Sequence, residues 1–220
     1  MRMLLLMPLS IVTGAVTGTG GPLLDASTRT GVLGAVLVAG WCYASIPFCL
    51  GMAGASRWKA VISGTTALIV AVISYYSLKA VQGDFRTVDF SDTSGREFFS
   101  WSGFASMTLY WCVAALVLGP PLGVAGWMAR HGAIRLPFRL VIPVIALAET
   151  AMRLRVEAST ASSPAVMAWE LVRATALALI VLLVGVAVWK RRHRHETSRP
   201  APATSPRTSG SSHSGNPGER

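Results

Sequence analysis

Between Met107 and Met128 the chain reads MTLYWCVAALVLGPPLGVAGWM, with no charged side chain before Arg130. At ~1.5 Å of rise per residue, a helix of that length covers roughly 30 Å, the thickness of a bilayer's hydrocarbon core. Hydrocarbon offers backbone N–H and C=O groups no partners, so a segment crossing it must pair them within a helix. Further apolar blocks of similar character occupy residues 3–24, 31–53, 60–81, 137–155 and 165–189. The sequence therefore predicts an all-α membrane protein: a bundle of about six transmembrane helices over residues 1–189, with 104–128 the fourth.

Composition agrees with lipid as the solvent. Only 14% of residues are charged, where a soluble domain carries about a quarter. The net charge of +10 does not point to nucleic acid, because the basic residues sit between and after the apolar blocks. That placement fits topology signals and contact with anionic lipid. The expected partners are the bilayer itself, anionic lipids or a membrane protein, and no nucleic acid. Cys42, Cys49 and Cys112 all lie within apolar blocks. Cys42 and Cys49 are two helical turns apart, roughly 10 Å, too far for a disulfide. They read as small hydrophobes.

The block 3–24 follows Arg2 and allows two readings, a signal peptide or a retained helix. Its length and the lack of a clear small-residue cleavage site favour a retained helix. It carries Gly14 and Gly18 at GxxxG spacing, which lets helix backbones approach closely in lipid. The block 31–53 contains Pro47, where a kink is expected. Tyr75, Tyr76 and Lys79 close the third block with residues suited to the headgroup region. The polar segment 82–103 carries Asp84, Asp89, Asp92 and Glu97 among several aromatic residues. It reads as a solvated connector or as a lid, and it lacks the ligand spacing of a calcium loop.

The fourth block places Gly119 and Gly123 around Pro120-Pro121, so a bend or break is expected there. The block 137–155 holds Pro143 and Glu149, and 165–189 holds Glu170 and Arg173. Beyond Trp189 comes Lys190-Arg191-Arg192-His193-Arg194, then a Pro-, Ser- and Thr-rich stretch; residues 190–220 read as a basic, disordered cytoplasmic tail. If every block spans, the basic excess falls on the side of both termini. The expected topology is N-in and C-in, multi-pass in the plasma (inner) membrane.

Chemistry has few places to sit. Glu149 and Arg153 stand at i, i+4, and Glu170 and Arg173 at i, i+3, on consecutive helices. Ionisable groups within a span are costly and usually face a bundle interior or a wet cavity. Two readings stay open: a ligand-binding pocket built from these four residues, or two interfacial pairs that clamp the last helices together. Pro47 and Pro143 also fall in the middle helix of each three-helix half, a pattern met in inverted-repeat transporters. No zinc-protease, nucleotide-binding or nucleophile-elbow signature is present. No catalytic residue, metal or cofactor is expected, and the chain does not read as an enzyme.

The Tyr75-Tyr76 pair, the run from Val117 through Gly119-Pro120-Pro121-Leu122-Gly123 to Gly126-Trp127 ahead of Arg130, and Glu149 together resemble a family of small bacterial membrane proteins classed as a domain of unknown function. The resemblance covers about Met3 to Trp189. It implies a compact multi-helix bundle and assigns no activity. Within it, the expected role is a small-molecule binding or transport subunit. The alternative is a structural or partner-binding protein without a pocket, which should leave a small-residue stripe exposed.

Overall fold

The computed structural model describes residues 2–25, 31–88, 97–132, 134–157 and 163–197. In it the apolar blocks become helices α1 (Arg2–Asp25), α2 (Gly31–Leu37), α3 (Gly40–Ala53), α4 (Arg57–Gln82), α5 (Trp101–His131), α6 (Leu136–Arg139), α7 (Val141–Glu157) and α8 (Ser163–Thr197). Two short strands, β1 (Arg86–Val88) and β2 (Glu97–Phe99), pair antiparallel between α4 and α5. The protein is therefore helical with one hairpin, where the sequence suggested helices alone. Among the described residues, Arg57–Gln82, Trp101–His131 and Pro164–Lys190 are long and apolar enough to cross a membrane.

Close contacts fix how the helices run. Gly14 lies against the Ala67 carbonyl and Gly18 against that of Ala71, so α1 and α4 run parallel. Pro47 meets Gly64 while Tyr43 packs on Leu68 and Val72, which sets α3 antiparallel to α4. Gly119 sits on Thr65 and Gly123 on Ala60, so α5 is antiparallel to α4 as well. Val141 and Ile142 pack near Phe48, whereas Glu149 reaches Gly40, so α7 opposes α3. Arg153 near the end of α7 lies over Trp169 near the start of α8, and α8 also packs on α6, which precedes α7; this makes α8 the antiparallel partner of α7. Taking α2–α3 and α6–α7 each as one segment, the chain reverses direction from each segment to the next.

Packing at these seams depends on small residues. A Cβ at Gly14, Gly18 or Gly51 would collide with a neighbouring backbone carbonyl, and one at Gly119 would lie 2.7 Å from Thr65 Oγ1. Between helices in lipid the drive is close van der Waals packing, which these glycines permit. Every GxxxG glycine picked out in the sequence is buried against α4.

None of the prolines singled out in the sequence breaks its helix. α3 runs unbroken through Pro47 and α5 through Pro120-Pro121. Pro143 falls in the first turn of α7, where its missing N–H would have no helical partner anyway. α3 and α5 are held on both flanks, since Gly51 of one meets Gly123 of the other and each also packs on α4. The interruptions lie elsewhere, at Val38–Ala39 between α2 and α3 and at Leu140 between α6 and α7. The middle block of each three-helix half is thus interrupted, though not at the prolines that mark it in the sequence.

The two ends of the bundle differ. At one end Arg57 stacks on Trp127 at 4.8 Å, Arg130 donates to the Met52 carbonyl at 3.1 Å, and Arg139 donates to the Ala129 carbonyl at 3.1 Å. These bonds satisfy carbonyls that helix termini leave free. At the other end the hairpin sets Arg86 opposite Phe99 and Val88 opposite Glu97, with the Arg86 guanidinium reaching Glu97 at 3.8 Å, and Lys79 pairs with Asp84 at 2.9 Å. Phe85, Phe99, Trp101 and Phe104 form an aromatic cluster that reaches Tyr76. Residues 89–96 of the connector lie outside the described residues. The basic stretch after Trp189 does not end the last helix, which continues through Thr197. Residues 198–220 of the expected tail lie outside the described residues.

Candidate functional site

The break between α2 and α3 organises the site. Ala39, fully buried, has φ −60° and ψ 144°, so the chain is extended there before α3 begins at Gly40. A helix that starts inside a bundle exposes N–H groups that need acceptors. No side chain on α3 supplies one. Glu149 of α7 does: Oε1 accepts from Gly40 N–H at 2.9 Å and Oε2 from Trp41 N–H at 2.8 Å. A carboxylate at a helix N-terminus also meets the positive end of the helix dipole. Gly40 allows the approach, since a Cβ there would stand 3.1 Å from Glu149 Oε2.

Arg153, one turn further along α7, donates from Nε to Glu149 Oε1 at 3.1 Å. Its guanidinium lies 4.8 Å from the centre of the Trp169 ring, and Trp169 is 2% exposed. One carboxylate thus ties the start of α3 to α7, and one guanidinium ties α7 to α8. Thr150, fully buried, donates back to Ala146 O at 2.8 Å and so demands nothing of its neighbours.

The latch forms one end of a cleft of about 400 Å³ between α3, α4, α5 and α7. α5 and α7 meet near the basic end, where Ala125 and Ala129 pack with Val141 and Ile142. Away from that contact they diverge, and α3 and α4 close the back. Toward the hairpin end the walls carry Gly40, Tyr75, Tyr76, Trp111 and Arg153; toward the basic end they carry Ala44, Leu68, Leu118 and Leu122. The cleft is thus polar at one end and apolar at the other. Tyr43 also lines it, and its buried hydroxyl has no hydrogen-bond partner among the described residues.

The four ionisable residues singled out in the sequence divide. Glu149 and Arg153 come together at the cleft. Glu170 and Arg173 pair with each other at 3.7 Å on α8, with side chains 57% and 45% exposed, and do not line it. The residue of α8 that turns inward is Trp169. The sequence reading missed Trp169, Gly40, Tyr43 and Trp111. An aromatic residue beside an ion pair was the one available signal for Trp169. For Gly40 there was none, because its partner lies 109 residues away.

Among the described residues, no group of three or more His, Cys, Asp and Glu side chains could hold a metal ion. The polar groups at the cleft are one carboxylate, one guanidinium and phenolic hydroxyls, an arrangement fitted to holding a polar head beside an apolar body. Neither a curated protein nor a solved structure matches the chain. Residues 1–204 match DUF6518, a family of unknown function, and the chain belongs to that family.

Proposed function

We propose that this is a multi-pass membrane protein that crosses the plasma membrane six times, with both termini cytoplasmic, and binds a small molecule in the α3–α4–α5–α7 cleft. Its role is that of a binding or transport subunit, not an enzyme. The alternation of helix direction supports the number of crossings. The gathering of Arg57, Arg130, Arg135 and Arg139 at one end supports the orientation, because basic residues are retained on the cytoplasmic side.

The observation that carries the binding reading is the cleft with a charged latch at one end. Its volume of about 400 Å³ falls within the range of small-ligand sites, which are mostly apolar with a few fixed polar groups. The structural alternative would leave the small-residue stripes of the first or fourth block exposed, yet Gly14, Gly18, Gly119 and Gly123 are used internally against α4. The test is thermal stabilisation of the purified protein by a panel of small, largely apolar compounds, repeated with Leu118→Trp. Leu118 lies on the cleft's lip and is 53% exposed, so an indole there fills the cleft without disturbing the latch. Stabilisation lost in the variant supports the reading; none in either protein, or equal stabilisation in both, overturns it.

A further inference from the structure

We infer that the ligand of this cleft is an uncharged, largely apolar molecule dissolved in the bilayer, which enters sideways between α5 and α7. The inference rests on the reading of the cleft as a binding site in a membrane-spanning bundle and deepens it. The position of the opening comes first. At the back, Leu68, Val72 and Ala115 form one buried cluster packed with Tyr43. At the basic end, Phe48, Ala125 and Ala129 pack with Phe138, Val141 and Ile142. At the hairpin end, the ring of the wall residue Tyr76 lies 6.2 Å from that of Phe85, which lies 5.5 Å from that of Phe104. Beyond α7, the Arg153 guanidinium lies over Trp169 and fills the seam with α8. The side left open is the gap between α5 and α7. Its lip on α5 is exposed, Trp111 by 47% and Leu118 by 53%, though both line the cleft. Leu118 lies midway along α5 (Trp101–His131), and the back wall at Leu68 and Val72 lies midway along α4 (Arg57–Gln82). In a spanning bundle that depth is hydrocarbon, so what enters the gap comes from lipid.

Charge points the same way. Glu149 and Arg153 are the charged residues of the cleft among the described residues. They bind each other at 3.1 Å, and Glu149 also accepts from Gly40 N–H and Trp41 N–H. The pair is neutral in sum and engaged in holding α3 to α7. A charged group arriving at this depth would lose its hydration and find no counter-charge in exchange. An uncharged ligand meets no such penalty. The remaining walls set its body. Leu68, Val72 and Leu122 offer apolar contact, while Tyr75, Tyr76 and Trp111 supply aromatic surface against which rings pack well. A volume of about 400 Å³ suits a small ring system with a short substituent and excludes a two-chain phospholipid.

The experiment uses the full chain in discs of zwitterionic phospholipid, a fraction of which carries a diazirine midway along one acyl chain. After illumination, labelled residues are mapped by mass spectrometry. A chain tethered to a lipid reaches the buried Leu68 and Val72 only through the gap. Label at these two residues is the expected result, with the exposed Leu177 of α8 as the reference. Added naphthylmethanol should remove that label at bilayer concentrations roughly tenfold or more below those of naphthoate or naphthylmethylamine, and leave Leu177 unchanged. Leu118→Trp should reduce it severalfold, whereas Val117→Trp, exposed on α5 but outside the cleft, should not. Equal or better competition by either charged compound overturns the inference and leaves the cleft reading standing. So does label at Leu68 and Val72 from a free naphthyl diazirine but not from the lipid-borne one. Label that no compound displaces, or that Leu118→Trp leaves unchanged, overturns the inference too. No label at either residue from any probe removes the cleft reading itself.

Discussion

Removing the Glu149 carboxylate should open the joint between α2–α3 and α7, and the size of the effect can be worked out from its contacts. Two backbone N–H groups donate to it at 2.9 and 2.8 Å. A hydrogen bond to a charged group contributes roughly 1.5–3 kcal/mol, and a buried donor left unpaired costs on that order. The Arg153 partner is 30% exposed and Glu149 14%, so solvent screens the ion pair and it adds about 1 kcal/mol or less. Taking the lower end for each bond because the site is partly open, Glu149→Ala should destabilise by about 3 kcal/mol. Glu149→Gln keeps one acceptor oxygen and should cost about half as much. The assay is the unfolding midpoint in a denaturing-detergent titration, read by circular dichroism, for both variants and for each combined with Arg153→Ala. If Glu149→Ala lies within about 0.5 kcal/mol of the parent, Glu149 is not capping α3 and the account of the broken helix is wrong.

Other expectations are independent of that latch. Gly18→Val should lower stability by at least about 1–3 kcal/mol, the usual cost of overpacking, because its Cβ would collide with the Ala71 backbone; Gly20→Ala, where a Cβ meets nothing within 4 Å, should be close to neutral in the same titration. Trp169→Ala should cost about 3–5 kcal/mol, as for other buried large-to-small changes, and should remove the ring beneath the Arg153 guanidinium; a midpoint unchanged from the parent would mean α8 is not anchored there. Reporters fused after Arg220 and inserted at Asp92 should report opposite sides of the membrane, the first cytoplasmic. The same side for both would contradict the alternating passes.

The features legible in the residues are those set by local physics. Each apolar block became a helix or a pair of helices, because a long, largely apolar run buried away from water must pair its backbone within itself. The glycine spacings marked where backbones come close, since the absence of a side chain acts within one turn. The breaks were harder. Pro47 and Pro120-Pro121 carry the strongest local signals for a kink or break, yet none of them breaks its helix, each being held between neighbours. The real break at Val38–Ala39 has no such mark. It exists because a carboxylate from α7 caps the new helix at Gly40, and that contact spans 109 positions in the chain.

The site divides along the same line. Glu149 and Arg153 are one turn apart, so their pairing is local and legible. Whether Glu170 and Arg173 join them depends on the rotation of α8, which helical spacing alone does not fix. Trp169 takes the inward position, and its neighbour Glu170 turns out toward the surroundings. The aromatic side of the cleft, Tyr43 and Trp111, was hidden for the same reason: each is one of many apolar positions until the helices are assembled.

The most direct test of a ligand cleft is the reactivity of single cysteines in a chain lacking the three native ones. Val38→Cys and Ala114→Cys lie on the cleft wall; Ala67→Cys and Ala71→Cys lie where side chains are fully buried against α1 and α3. With a small maleimide, positions 38 and 114 should label at least tenfold faster than 67 and 71. Equal protection at all four positions would mean that the space between α3, α4, α5 and α7 is closed, and that this protein holds its ion pair for structure alone.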